Sequence, residues 1–304
     1  MPNHPKPEPA HGSTHPAASA TVGVVPPALA SPTHRGGTGP DASTGGLTVP
    51  FVVANRQRIH YQIAGERGPY LFLHAPFLVS LDAWQRVGYI EQLEETFRIV
   101  VLEPLGQGRS DAPLDPERYT ISARAEHVLE VLREVQVDYT HFLGFGLGAQ
   151  VGFALAVSHP ERIRTLSTAG AHPYPLIDEL QVLEEAQNQL RDGHIAAYLQ
   201  QWRSEEHLSS EQQEQIANGN PEVYSIGLAA SCCWEGVSEQ LNSIRVPTQL
   251  FTVTSETRFL SVREAGRQLP NGRYTILPKI QYTHGLWHPD LILSPLQEFY
   301  RHQR

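Results

Sequence analysis

The sequence feature that most constrains the fold of this chain is a glycine-punctuated turn at residues 144–148, which reads GFGLG. An apolar run at residues 140–143 precedes this turn, and the small and apolar residues 149–156 that follow it are typical of a helix. Glycine lets the backbone adopt conformations that a sharp turn requires. We therefore predict a strand, a sharp turn and a buried helix in direct succession.

Strand-like and helix-like segments alternate along most of the chain. Short continuous apolar runs at residues 70–73 and 97–102 are typical of strands buried on both faces. Between them, residues 81–96 have helical periodicity, and residues 122–135 place their apolar side chains on one helical stripe. This alternation predicts an α/β fold in which helices cover both faces of a mainly parallel sheet.

Composition divides the chain into three parts. Residues 1–46 are rich in Pro, Gly, Ser, Thr and Ala, so they cannot offset the entropy of ordering, and we expect a disordered tail. The alternation of strands and helices breaks over residues 172–245, which are polar, helical in pattern and rich in Gln and Glu. We therefore expect an α/β core of residues 47–171 and 246–304, with residues 172–245 forming a helical cap.

Charge and hydropathy exclude two classes of partner. The net charge is −9 and the pI is near 5.9, and the sequence has no basic cluster that would neutralise phosphates. The apolar runs are all shorter than the ~18 residues that span a bilayer. We therefore expect neither a nucleic-acid partner nor a membrane span.

The cysteines and histidines give no sign of a disulfide framework or a metal site. Cys232 and Cys233 are adjacent in sequence, which favours the reducing environment of the cytoplasm. His284 and His288 are four residues apart, but the glycine and proline beside them argue against one helical metal-binding face. We predict a cytoplasmic protein with no metal and no cofactor.

Several motifs occur in the order in which they occur in the α/β-hydrolase family. The turn at residues 144–148 resembles the family's nucleophile elbow, G-x-S-x-G. Residues 73–76 (LHAP) resemble the H-G-x segment after the third strand, and residues 103–111 (EPLGQGRSD) resemble the loop after the fourth. SHPER at residues 158–162 and VPT at residues 246–248 are also similar to family segments. The resemblance implies an α/β-hydrolase fold with a helical cap insertion.

The resemblance also identifies changes at the catalytic positions. Acyl transfer in this family needs a nucleophile, a histidine base, an acid, and two backbone N–H groups that bind the oxyanion. The nucleophile position is Gly146, which has no side chain to attack with. One oxyanion donor position is Pro76, which has no N–H, and the other is Leu147. We therefore expect that ester hydrolysis by the family mechanism is lost.

Two alignments are open for the histidine of the family and for its acid. Counting back from Pro289 puts the histidine position at Tyr282, whereas matching the Thr-His pair puts it at His284. We prefer His284, because loops tolerate deletions and tyrosine is not a base near neutral pH. The acid position aligns with Thr257, and the neighbouring Glu256 is either the acid or a solvated side chain. His284 and Glu256 are thus the predicted catalytic pair.

Three functions are compatible with these residues. The first is cofactor-free acid–base chemistry of the lyase, isomerase or cyclase type on a small apolar or aromatic molecule held between core and cap. The second is a catalytically inactive pseudo-hydrolase that binds a ligand or partner, and the third is a residual hydrolase with an atypical nucleophile. The number of changed positions disfavours the third, and a retained pocket favours the first; the oligomeric state stays open. The predicted pocket residues are Pro76, Phe145, Gly146, Leu147, Trp234 and Tyr282.

Overall fold

A computed structural model describes residues 50–177, 180–202, 209–254, 258–278 and 288–303. The predicted tail at residues 1–46 lies outside these ranges. Within the described chain, no helix is both long enough and apolar enough to cross a membrane.

One eight-stranded sheet forms the centre of the described chain. Its strands are β1 (Phe51–Ala54), β2 (Gln57–Ala64), β3 (Tyr70–His74), β4 (Arg98–Leu102), β5 (Thr140–Phe145), β6 (Ile163–Ala169), β7 (Thr248–Val253) and β8 (Gly272–Leu277). The strand order is β1-β2-β4-β3-β5-β6-β7-β8. The pairs β1–β2 and β2–β4 are antiparallel and all the others are parallel, which confirms the mainly parallel sheet that the sequence predicts.

Helices flank this sheet, and four of the described ones are inserted between two of its strands. Those of the described residues are α1 (Asp82–Arg86), α2 (Tyr89–Leu93), α3 (Ile121–Glu134), α4 (Leu147–Ser158), α5 (Leu180–Arg191), α6 (Ile195–Trp202), α7 (Ser210–Ala217), α8 (Pro221–Cys232), α9 (Phe259–Gln268) and α10 (Pro289–Arg301). Helices α5 to α8 follow β6 and precede β7, within the segment where the sequence predicts the cap.

The single helix predicted over residues 81–96 is wrong, because two short helices, α1 and α2, occupy that segment. They are separated at Gly88, whose φ of 90° lies outside the helical region. The neighbouring prediction is accurate: α3 covers Ile121–Glu134, and the side chain of Thr120 caps it by accepting the N–H of Ala123 at 3.2 Å. The periodicity of residues 81–96 is helical, but Gly88 interrupts the helix within it.

Two apolar clusters pack on the two faces of the sheet. Successive side chains of a strand point to opposite faces, so Phe72 joins one cluster, and Leu71 and Leu73 join the other. The first cluster contains buried residues of α3, α4 and α9 together with those of the cap helices. The second contains buried residues of α1, α2 and α10. We call the first the cap-side cluster and the second the far-side cluster.

The loop after β4 is held by a buried carboxylate. Glu103 accepts the backbone N–H of Arg109 at 2.6 Å and forms a 2.7 Å hydrogen bond with Nδ1 of His60. A Cβ atom on Gly108 would lie 2.2 Å from this carboxyl group, so the loop can close around Glu103 only with glycine at that position. Residues 103–111 thus resemble the family loop because the loop must pack around Glu103. This role is structural and involves no catalytic group.

Candidate functional site

Gly146 alone joins strand β5 to helix α4. Its φ of 52° and ψ of −113° are a conformation that residues with a side chain rarely adopt. Its N–H donates to the carbonyl of Ala169 on β6 at 2.9 Å, and its own carbonyl accepts the N–H groups of Ala149 and Gln150. The predicted nucleophile position is therefore fixed between the sheet and the helix.

The two outer glycines of the GFGLG turn allow strand and helix to lie very close together. A Cβ atom on Gly148 would lie 2.2 Å from the carbonyl oxygen of His74, and one on Gly144 would lie 2.3 Å from the carbonyl oxygen of Gly148. Both neighbours are backbone atoms, which cannot rotate away as a side chain can. The turn therefore requires glycine at both outer positions for steric reasons alone.

Pro76 lies directly against the nucleophile position. A Cβ atom on Gly146 would be 3.2 Å from Cβ of Pro76, which is tighter than ordinary van der Waals contact. Pro76 also lacks an N–H, and the N–H of Leu78, two residues further along the same loop, is bound to Oε1 of Gln107 at 2.8 Å. Leu147 remains as a donor, because the first N–H groups of a helix have no acceptor within that helix. Pro76 therefore cannot supply the N–H that a residue other than proline would donate at this position.

Of the other predicted pocket residues, two lie on the cap side and one does not. Leu147 is buried in the cap-side cluster, and Trp234 is half-buried against that cluster. Phe145 belongs to the far-side cluster, where its ring centroid lies 5.7 Å from that of Trp84 and 6.1 Å from that of Tyr89. Its ring therefore packs away from the buried cap residues, because strand alternation directs it to the same face as Leu143.

The remaining predicted site residues lie outside the described part of the chain. These are Glu256 and its neighbour Thr257, together with Tyr282 and His284. Their assignment as acid, base or pocket residues stays a prediction.

Helix α8 of the cap packs on the core through one of its faces. Nε2 of Gln150 on α4 donates to the carbonyl of Ser231 at 3.2 Å, and the Ser231 hydroxyl donates back to Oε1 of Gln150. One and two turns earlier on the same face, Gly227 lies against the ring of Phe77, and Val223 lies against Gly106. This face places the cap beside the segment that contains Pro76.

A cluster of basic side chains is buried beneath this helix. His74 at the end of β3, together with Arg124 and His127 on α3, is at most 2% exposed. Burial, together with a smaller effect of the nearby positive charge of Arg124, lowers the pKa of His74 to about 4 and that of His127 to about 3. Both histidines are therefore neutral at neutral pH.

Arg124 is the polar residue of this region that the sequence prediction missed. Burial lowers the pKa of its guanidinium to about 10, so the side chain is still charged at neutral pH. It lies one turn before Val128 on the buried stripe of α3, and a charged residue on an apolar stripe is the signal that the sequence offered. The periodicity of α3 places Arg124 on the buried face of the helix, but it does not show which residues Arg124 contacts.

Comparisons with known proteins agree with this fold. A family model described as the alpha/beta hydrolase fold matches residues 68–222. The chain is 24% identical over 270 residues to the putative 2-succinyl-6-hydroxy-2,4-cyclohexadiene-1-carboxylate synthase of Bacillus subtilis, an alignment that covers 79% of this chain and 94% of that protein. It is 28% identical over 144 residues to the putative carbamate hydrolase RutD of Serratia proteamaculans, covering 46% of this chain and 53% of that protein.

Solved structures are similar over most of the chain. The enol-lactonase from Burkholderia xenovorans superposes with a TM-score of 0.70 at 22% identity, covering 83% of this chain and 100% of that one. A thermophilic esterase from Thermogutta terrifontis superposes with a TM-score of 0.69 at 15% identity, covering 84% and 98% respectively. At these identities the similarity establishes a common fold and no common reaction.

Proposed function

This chain belongs to the α/β-hydrolase fold family, and we propose that it binds a small apolar or aromatic molecule between core and cap and transforms it without ester hydrolysis. The proposed chemistry is cofactor-free acid–base catalysis of the lyase, isomerase or cyclase type. The observation that carries the proposal is Gly146, which occupies the nucleophile position of an otherwise complete elbow.

The surroundings of Gly146 support the loss of hydrolysis independently. Covalent catalysis needs an attacking side chain and donors for the oxyanion that the attack creates. Pro76 removes one of these donors and lies 3.2 Å from the place where the Cβ atom of a nucleophile would begin. A reaction that forms no acyl intermediate requires neither feature.

The names of the relatives include a reaction other than hydrolysis. The relative that aligns over 94% of its own length is named a synthase, whereas the carbamate hydrolase aligns over 53% of its length. A second carbamate hydrolase, that of Caulobacter, aligns over 75% of its length, so coverage alone does not choose between the two reactions. The name of the synthase is thus compatible with the proposed reaction class, which depends on Gly146.

The described histidines near the elbow are unsuited to act as the base. A general base works best when its pKa lies near the operating pH. The pKa values of His74 and His127, lowered to about 4 and about 3 by burial, make both side chains weak bases. We therefore assign the base to His284, which takes a proton from a carbon of the bound molecule and returns it to the leaving group or to another carbon.

A ligand-binding pseudo-hydrolase is the second candidate. It is favoured by the close seat of α8 on the core, where the paired hydrogen bonds between Gln150 and Ser231 hold the cap down. Ligand binding requires contact between cap and core but no catalytic side chain. Proton exchange at carbon separates this candidate from the enzyme.

Restoring serine at the elbow is expected to leave ester hydrolysis at the background rate. In Gly146→Ser the new side chain must displace Pro76, and loss of one oxyanion donor alone costs on the order of 3 kcal/mol of transition-state stabilisation. Hydrolysis of p-nitrophenyl butyrate and mass-spectrometric labelling by a fluorophosphonate provide the measurements.

The matched control is the double variant Gly146→Ser with Pro76→Gly, which restores both the N–H and the space. Labelling of the double variant but not of the single one would support Pro76 as the block. A fluorophosphonate adduct on Gly146→Ser alone would instead show that the hole and the base are intact, and would contradict the proposed loss of hydrolysis.

Proton abstraction is expected to be measurable with a planar apolar ketone. In D₂O the wild-type protein should accelerate exchange of the C–H next to the carbonyl of 1-indanone, and His284→Gln should lower that rate by about 100-fold, a usual contribution of a general base. Exchange is followed by NMR, and binding of the neutral fluorophore N-phenyl-1-naphthylamine is the control for an intact pocket. Binding of the fluorophore without any exchange would contradict the enzyme and support the pseudo-hydrolase.

A further inference from the structure

Arg124 has buried hydrogen-bond donors that no described residue accepts. The side chain is 1% exposed, and its Nε donates to the carbonyl of Tyr119 at 3.0 Å. Its two terminal nitrogens, Nη1 and Nη2, have no hydrogen-bond partner among the described residues. Half of the guanidinium is therefore fixed, and the described residues leave its other half without an acceptor.

The unpaired half of the guanidinium faces the cap helix α8. A Cβ atom on Gly227 would lie 3.4 Å from Nη2 of Arg124 and 3.1 Å from the ring of Phe77. The guanidinium carbon lies 5.4 Å from the ring centroid of Tyr119, so aromatic rings flank the charge. Phe77 is next in sequence to Pro76, and these contacts connect the arginine to the nucleophile position.

A buried cation without an anion is costly, since desolvation of the charge is not offset by a partner. The groups packed near Arg124 do not supply one: His74 and His127 are neutral or cationic, and Tyr119 keeps its proton because burial raises its pKa to about 12. The planar guanidinium matches the two oxygens of a carboxylate in a bidentate pair. The two unpaired nitrogens of Arg124 therefore have the charge and the donor arrangement that one carboxylate would satisfy.

We propose that Arg124 binds a carboxylate of the molecule held between core and cap, with Nη1 and Nη2 each donating to one carboxylate oxygen. The proposal rests on the proposed function and narrows its ligand class to small apolar or aromatic carboxylic acids. The apolar part of the acid lies along Phe77, in the direction of Pro76 and Gly146. Because Arg124 is 1% exposed, the acid reaches it when α8 moves away at Gly227.

Benzoate and its uncharged analogue benzamide test the carboxylate directly. By calorimetric titration the wild-type protein should bind benzoate at least tenfold more tightly than benzamide, and Arg124→Met should remove that preference. Arg124→Lys keeps the charge but not the bidentate fork, so its preference should fall between the two. The matched control is Arg118→Met, which removes an exposed arginine paired with Asp115 and should keep the full preference.

Three results would overturn the inference. The first is equal binding of benzoate and benzamide by the wild-type protein. The second is a preference for benzoate that survives in Arg124→Met. The third is a fall in the Tm of ligand-free Arg124→Met that is many degrees larger than that of Arg124→Lys, which would mean that the charge of Arg124 is already paired within the chain. If the wild-type protein still binds N-phenyl-1-naphthylamine in any of these cases, the carboxylate site fails but the pocket stands. If it binds neither the fluorophore nor benzoate, the proposed function fails with it.

Discussion

Gly148→Ala is expected to lower the free energy of unfolding by about 3 kcal/mol, the upper part of the range for overpacking a well-packed site. The new Cβ atom would lie 2.2 Å from the carbonyl oxygen of His74 and 2.7 Å from its carbonyl carbon. Helix propensity predicts the opposite sign, since alanine stabilises a helix interior by about 1 kcal/mol relative to glycine. The contact dominates, because His74 is held in the sheet by its pairing with Gly144 and cannot retreat.

Urea denaturation followed by circular dichroism measures this effect, and Gly193→Ala is the matched control. Gly193 has a φ of 76°, but a Cβ atom there would have no neighbour within 4 Å. Its substitution should cost only the strain of left-handed backbone, about 1–2 kcal/mol. If Gly148→Ala proves as stable as the wild-type protein, helix α4 does not approach β3 as closely as the structure shows.

Most of the core was predictable from the sequence, because its signals are local. The apolar runs at residues 70–73 and 97–102 coincide with β3 and β4, and the GFGLG turn joins β5 to α4. In each case the sequence signal lies within the same few residues that form the strand or the turn. The sharp turn is also a local feature, because it depends on glycines that are adjacent in the sequence. Its position between β5 and α4 therefore identified Gly146 as the residue at the turn.

The partners of a side chain were not predictable in the same way. Arg124 and Phe77 both lie against Gly227, which is about 100 residues after Arg124 and about 150 residues after Phe77 in the chain. No periodicity within α3 contains that information. The error at Phe145 is of a different kind: two-residue alternation along β5 directs it to the far side, and the position of a residue beside the elbow does not indicate its direction.

Acidification is expected to destabilise the protein through the two buried histidines. Their pKa values, about 4 for His74 and about 3 for His127, lie below the ordinary value of 6.5, so the unfolded chain binds protons that the folded chain does not. Stability from these groups is therefore complete above pH 6.5 and is lost as the pH falls towards the folded values. At about pH 4.5 each histidine should account for a loss of about 2.5 kcal/mol in the free energy of unfolding.

Substituting one histidine at a time separates this loss from that of other groups. His127→Leu removes the proton uptake at one site and should roughly halve the histidine-dependent loss between neutral pH and about pH 4.5, from about 5 to about 3 kcal/mol. His194→Leu, the same change at an exposed histidine, should leave the pH dependence unchanged. Denaturation curves at a series of pH values provide the measurement. Equal pH slopes in the two variants would mean that His127 is accessible to protons in the folded protein, and thus that α8 does not seal the basic cluster from solvent.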